Sequence, residues 1–330
     1  MEDKQTDHIE KAAGAGVCKK TSIGGQALIE GLMMLGPDKQ SIAVRSSDGE
    51  IVLTVKDRPP FTKRFNIPFL RGIVRLVMQL KTGVGAIGYS ADVAMKEEEN
   101  DEEDKKVSRF DRFAERHPRL VTGVTLAISL GLSIAIFILL PSALTDLLRK
   151  VTGFGIGEQT GAMSVALSFI EGFVRIAIFI SYLWLTSLSK DIKRVWMYHG
   201  SEHKTIATYE AGLPLTVENV RRMSRFHPRC GTSFLFLVML ISILAFAVVG
   251  RYTLWINILL RLALLPLVTG ISYEIIKLAG TYDNVLTRVL SMPGLALQRL
   301  TTAEPEDDML EVAIVAMNAV IPENPDSDRW

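Results

Sequence analysis

Two histidines and two acids fall within thirteen residues, Tyr198-His-Gly-Ser-Glu-His-Lys-Thr-Ile-Ala-Thr-Tyr-Glu210. On a helix, His199, Glu202 and His203 stand at i, i+3 and i+4 and share one face within a turn. Two imidazoles can ligate a metal while a carboxylate beside them works as a base. His-x-x-Glu-His is also the spacing of one class of zinc peptidases, in which the glutamate activates water. Downstream, His227-Pro-Arg-Cys230 offers another imidazole and a thiol. His199, His203, His227 and Cys230 together make a four-ligand set suited to tetrahedral zinc, and thiolate with imidazole favours zinc over magnesium or calcium. Ligand count then decides the meaning. A closed site of four protein ligands is structural, whereas three with an open position for water is catalytic. In the open version Glu202 is the base, and Glu30 supplies a ligand or a second acid. The same spacing also fits a solvated or hydrogen-bonded helix face that holds no ion. Cys230 beside a histidine could instead be a thiolate nucleophile, although no oxyanion element is recognisable next to it.

The elements that must position these residues follow from how the apolar residues are distributed. They make up 48% of the 330 residues and fall in blocks, so the length is not read as two soluble domains. A net charge of +1 and the lack of basic stretches with interleaved aromatics give no case for nucleic acid. The two cysteines, Cys18 and Cys230, are far apart and read as reduced and cytosolic rather than as a disulfide. Residues 1–20 are a polar, disordered lead without the apolar core of a signal peptide. Residues 21–60 are expected to form a β-rich cytoplasmic element. Within it Ile23–Pro37 is a glycine-shaped strand and turn, and Ser41–Arg45 and Glu50–Lys56 alternate around Ser46-Ser47-Asp48-Gly49 as a hairpin.

Residues 61–96 are expected to hold an amphipathic, interfacial helix. Its stripe Phe69, Leu70, Ile73, Val74, Leu76, Val77 and Leu80 lies opposite Arg71 and Arg75. A charged linker over 97–120 leads to a four-span membrane domain over 121–276. The expected spans are Val121–Leu140, Ala162–Leu188, Phe234–Gly250 and Leu254–Ile276, with the motif in the loop over 190–233. Glu171, Arg175 and Arg261 lie inside these spans, where charge must pair or face a polar cavity. They read as an ion pair locking the bundle or as a polar path or lipid-headgroup site. Lysines and arginines concentrate before the first span and in the 190–233 loop. By the positive-inside rule that loop and both termini are then cytoplasmic. The last part, 277–330, is a cytoplasmic amphipathic segment, with a helix start expected in Thr301–Asp308 before the stripe from Met309 to Ala316.

Gly24-Gly-Gln-Ala-Leu-Ile-Glu-Gly-Leu-Met-Met-Leu-Gly-Pro37 closely resembles Gly-Gly-Gln-Ala-Val-Ile-Glu-Gly-Val-Met-Met-Arg-Gly-Pro, a signature of the YqhQ-like family of bacterial membrane proteins. Tyr198–Glu210, His227–Phe234 and Gln298-Arg-Leu-Thr-Thr-Ala-Glu-Pro305 resemble it too, so the similarity runs through almost the whole chain after residue 20. Leu35 stands where that signature has arginine. The resemblance implies bacterial origin and carries the family's label of metal-dependent enzyme. The expectation is therefore an α-helical, four-span protein of the bacterial cell membrane with a small N-terminal β element. Its cytoplasmic zinc site is expected to serve a non-catalytic assembly, insertion or transport factor, with a membrane-associated zinc-dependent hydrolase using Glu202 as general base as the alternative. Membrane lipids, and other membrane proteins, are the expected partners.

Overall fold

The computed structural model describes residues 20–58, 67–95, 116–153, 161–250, 254–282, 284–324 and 327–330. The expected lead (Lys20 apart), most of the charged linker, with Lys105, Lys106, Arg109 and Arg112, and residues 251–253 between the last two expected spans lie outside them. Four strands come first: β1 (Gly24–Leu28), β2 (Gly31–Leu35), β3 (Lys39–Arg45) and β4 (Ile51–Asp57). The helices that follow are α1 (Leu70–Met95), α2 (Pro118–Ile134), α3 (Leu140–Thr152), α4 (Gly161–Ser187), α5 (Lys190–Glu210), α6 (Val217–Arg222), α7 (Gly231–Val249), α8 (Leu254–Thr281), α9 (Val285–Thr301) and α10 (Asp307–Asn318). They fall into two compact units. One holds residues 1–97, 186–236 and 272–330; the other holds 98–185 and 237–271.

In the first unit the strands form an antiparallel meander in the order β1-β2-β3-β4. β1 turns into β2 through only Ile29 and Glu30, with Leu28 opposite Gly31. Strand side chains alternate faces, and both faces here are apolar. Leu32, Met34 and Ala43 pack with Tyr198 and Ile206 of α5 and Met309, Val312 and Met317 of α10. Leu28, Met33, Ile42 and Val44 pack on the other side with Ala86 and Val93 of α1. Each such side chain, fully buried, contributes roughly 1.5–3 kcal/mol. The sheet is therefore a middle layer between α1 and the α5/α10 pair. This explains why α1 runs on through Thr82–Ala94, past the stripe that ended at Leu80: Ala86 and Val93, seven residues apart, share the face on the sheet.

α9 starts at Val285 because Asn284 and Thr287 form a reciprocal capping box. α10 opens with Asp307 and Asp308 in its first turn, where acids complement the helix dipole.

Four helices are long and apolar enough to cross a membrane: Leu120–Thr152, Gly161–Ser187, Gly231–Val249 and Trp255–Thr281. The chain is thus an α-helical multi-pass membrane protein with a small N-terminal antiparallel sheet. The first of these extends well past the expected end at Leu140, since α2 continues through one π-helical turn, Ala135–Leu139, into α3. Its apolar window has a mean hydropathy of 2.5 and none of it is buried in the protein. An apolar stretch of that length with none of its residues fully buried needs a hydrocarbon environment.

Within the second unit the three intramembrane charges come together. Glu171 accepts from Arg175 at 3.1 Å and pairs with Arg261 at 2.5 Å. All three are nearly buried.

Candidate metal centre

α5 carries the motif, and its middle is enclosed on every side. Tyr198 through Ile206 are all buried, charged residues included. A solvated helix face, one alternative the spacing left open, is therefore not what these residues form. Burial is possible because the segment after α9 lies directly on the helix at Gly200. A β-carbon there would fall 2.1 Å from the Ala303 carbonyl oxygen, so only glycine permits the approach. The Ala303 N–H donates to the Trp196 carbonyl at 2.9 Å and fastens that segment down.

His199, His203 and Cys230 converge: one ligand atom from each lies within 4.8 Å of the other two. This buried group could hold a metal ion. The His199 Nδ1 is 2.7 Å from the Thr301 carbonyl, and the His203 Nδ1 is 2.6 Å from the Arg225 carbonyl. A carbonyl only accepts, so each Nδ1 carries the proton and each Nε2 is turned to the centre. Donation of the second ring nitrogen to a backbone carbonyl is the support usually found behind metal-ligating imidazoles. The His199 Nε2 lies 3.1 Å from Cys230 Sγ. The His203 Nε2 is buried and has no hydrogen-bond partner. A cation between the three would satisfy it, so the donor set fits a borderline-soft metal.

Cys230 reaches the group because the His227-Pro-Arg-Cys turn is bracketed by one fully buried side chain. Gln298 accepts from the His227 N–H and donates to the His227 carbonyl, both at 2.8 Å. The electrostatics already hold charge at the centre. Burial opposes ionisation of the Cys230 thiol, but the charges of His199 and His203 and the hydrogen bond from His199 outweigh it and set its pKa well below the ordinary range. Burial likewise opposes protonation of His199, yet the thiolate and Glu202 push it up to about 9.

Glu202 occupies the same face. Its carboxylate accepts the Gly25 N–H at 2.8 Å, and a β-carbon on Gly25 would come within 3.0 Å of its carboxyl carbon. Gly25 is thus what allows β1 onto this acid. Burial raises the Glu202 pKa, and the imidazoles only partly offset this.

The remaining two sequence candidates sit elsewhere. His227 is a neighbour, its ring 5.6 Å from that of His203, but its Nε2 faces Glu210 at 3.5 Å and Arg229 at 3.3 Å. Glu30 occupies the β1–β2 turn at φ 48° and takes both its oxygens to Arg194 at 2.5 and 2.6 Å. The supporting groups on Thr301, Arg225, Gln298 and Gly25 were not among the sequence candidates. Backbone carbonyls carry no sequence signal, although the Gln298–Pro305 and Gly24–Pro37 motifs contain three of the four residues.

A family described as protein of unknown function (DUF1385) matches residues 67–323. The chain is also 34% identical over 306 residues to the "Uncharacterized protein YqhQ" of Bacillus subtilis (strain 168), covering 90% of this chain and 92% of that one. These matches agree with the resemblance carried by Gly24–Pro37 and Tyr198–Glu210. No solved structure matches.

Proposed function

The chain belongs to the DUF1385 family, and on that premise we propose that it is a bacterial inner-membrane zinc hydrolase whose site faces the cytoplasm. The observation that carries this reading is the ligand count. His227 is engaged by Glu210 and Arg229, so three ligands, His199, His203 and Cys230, remain with Glu202 one turn away. Three protein ligands leave the fourth position of a tetrahedral ion to water, and with an adjacent acid this count matches a catalytic rather than a closed structural centre. Zinc, when bound, would polarise a substrate oxygen and acidify water there. Glu202 takes up the water proton and returns it to the leaving group, and its raised pKa brings it nearer to neutral, where such transfer is efficient. The Gly25 N–H orients it, while the Thr301 and Arg225 carbonyls hold the two imidazoles in one tautomer.

The positive-inside distribution supports a cytoplasmic motif loop and cytoplasmic termini. Exposed apolar residues on α1 and its entry, among them Phe69, Val77 and Leu80, and on α9, Val285, Leu286 and Val289, support contact with lipid at the interface. A substrate presented at the cytoplasmic leaflet fits that placement.

One observation favours a second reading, a non-catalytic assembly, insertion or transport factor with a structural zinc. The three ligands are each 9% exposed or less, beneath β1 and the Thr301–Ala303 segment. Glu202→Gln separates the two. In the hydrolase the variant keeps metal and fold but loses about 10²–10⁴ in rate and fails to complement a deletion. Full complementation by a metal-bearing Glu202→Gln protein would overturn the enzymatic reading in favour of the structural one.

A further inference from the structure

The sheet of the first unit has two edges, and they differ. β1 lies on α5, where its Gly25 N–H goes to Glu202, so that edge is covered. β4 is the other edge, and among the described residues only β3 pairs with it. Its ladder can be read from both ends. The Ser46 N–H donates to the Glu50 carbonyl at 2.9 Å, and the Arg58 N–H donates to the Asp38 carbonyl at 2.7 Å. Antiparallel bonding alternates, so residues 50, 52, 54, 56 and 58 bond to β3. The backbone groups of Ile51, Leu53, Val55 and Asp57 therefore point outward along a seven-residue strand. That strand has no proline, its register with β3 has no bulge, and its one lysine stands near the end, so little blunts the edge. Leu53 and Val55 are 42% and 44% exposed along it.

β4 complements itself. Laid antiparallel in full overlap on a second copy, it pairs Ile51 with Asp57, Val52 with Lys56, Leu53 with Val55 and Thr54 with Thr54. Every outward-pointing residue then meets an outward-pointing residue, as the alternation requires, and a two-fold axis passes between the two threonines. Leu53 and Val55 of each copy cover Val55 and Leu53 of the other, which removes the exposed apolar pair from water. The charges agree with this register. A cleft of about 290 Å³ between the β3–β4 hairpin and α1 is lined in part by Asp48, Glu50, Val52 and Tyr89. Exposed Lys56 of the second copy stands opposite Val52 and diagonal to Glu50, so its ammonium comes within reach of this acidic cleft.

We propose that β4 is a docking edge for β4 of a second copy of this chain, so that two four-stranded sheets join into one of eight strands across a two-fold axis. The test weighs full-length protein in mild detergent by light scattering, and oxidises single cysteines in membranes in a Cys18→Ser background, Cys230 being buried. The wild type is expected to have the mass of two chains. Thr54→Cys should form a disulfide-linked dimer, because a facing pair without backbone bonds sets its Cα atoms about 4.5 Å apart. Val52→Cys, about 14 Å along the strands from its counterpart, should not. Val55→Pro removes an outward N–H and no bond to β3, so it should halve the mass and keep the wild-type circular dichroism. Should Val55→Pro fail to fold, Leu53→Lys combined with Val55→Lys sets like charges opposite each other and gives the same halving. A wild-type mass of one chain overturns the proposal. So does a two-chain mass that survives the proline or the double lysine substitution in folded protein, or a cross-linking yield from Thr54→Cys no greater than from Val52→Cys.

Discussion

At the scale of single residues, the acids of this chain divide by what faces them. Glu30, a candidate second acid by sequence, is held by Arg194 in a left-handed turn. Glu30→Gln is therefore expected to lower stability by up to about 1 kcal/mol, as for a half-exposed ion pair, and to leave metal content unchanged. Denaturant melts beside elemental analysis check this, and loss of metal would return Glu30 to the site. Glu210 answers to pH. Burial raises its pKa, but the hydrogen bond from His227 and the charge of Arg229 more than compensate and hold it below the ordinary carboxylate value. A depressed carboxylate stabilises the fold above its unfolded pKa, and that contribution fades as pH falls through the folded value. Glu210→Gln should thus melt lower than wild type at pH 7, and the gap should close on acidification below about pH 4.5. A gap that stays constant from pH 7 to pH 3.5 would show that this acid is not what the pair stabilises. The histidine and glutamate positions were legible because spacing on a helix fixes which side chains share a face. The choice between Cys230 and His227 was not, since two residues of one turn point apart and only Gln298, far along the chain, decides how that turn sits.

At the scale of elements, the centre depends on two close approaches, and both run through glycine. Gly200 admits the segment after α9, and Gly25 admits β1 onto Glu202. Gly200→Ala places a methyl on the Ala303 carbonyl, which must move and take the Thr301 carbonyl behind His199 with it. The expected result is a loss of about 1–3 kcal/mol in stability, as for overpacking, and a metal affinity lowered by about 10–100-fold, as for a lost supporting hydrogen bond. Chelator competition measures the second effect, and an alanine variant with unchanged metal affinity would rule the contact out as a support. The strands and amphipathic helices could be read in advance from period-two and period-3.6 patterns. The face that α1 presents past Leu80, and the extent of the first long helix, could not. Tertiary cover on the sheet extends α1 through a glycine-containing stretch, and the π-helical turn carries the first span on into α3.

At the scale of the whole molecule, the four apolar helices and the loop charges together make one prediction about sidedness. In a background with Cys18 replaced by Ser, a cysteine at exposed Glu218 in the motif loop should resist an impermeant maleimide in intact cells and react once they are opened. A cysteine at exposed Thr152, the last residue of α3, should react from outside. The reverse pattern would invert the topology. The central claim concerns what the enclosed loop holds, and elemental analysis of untagged full-length protein, purified without chelator, tests it most directly. About one zinc per chain is predicted for the wild type. It should be absent from His203→Ala and from Cys230→Ser, and present in His227→Ala and Glu202→Gln. A wild-type protein without transition metal, or a His203→Ala protein that still carries it, would contradict the account.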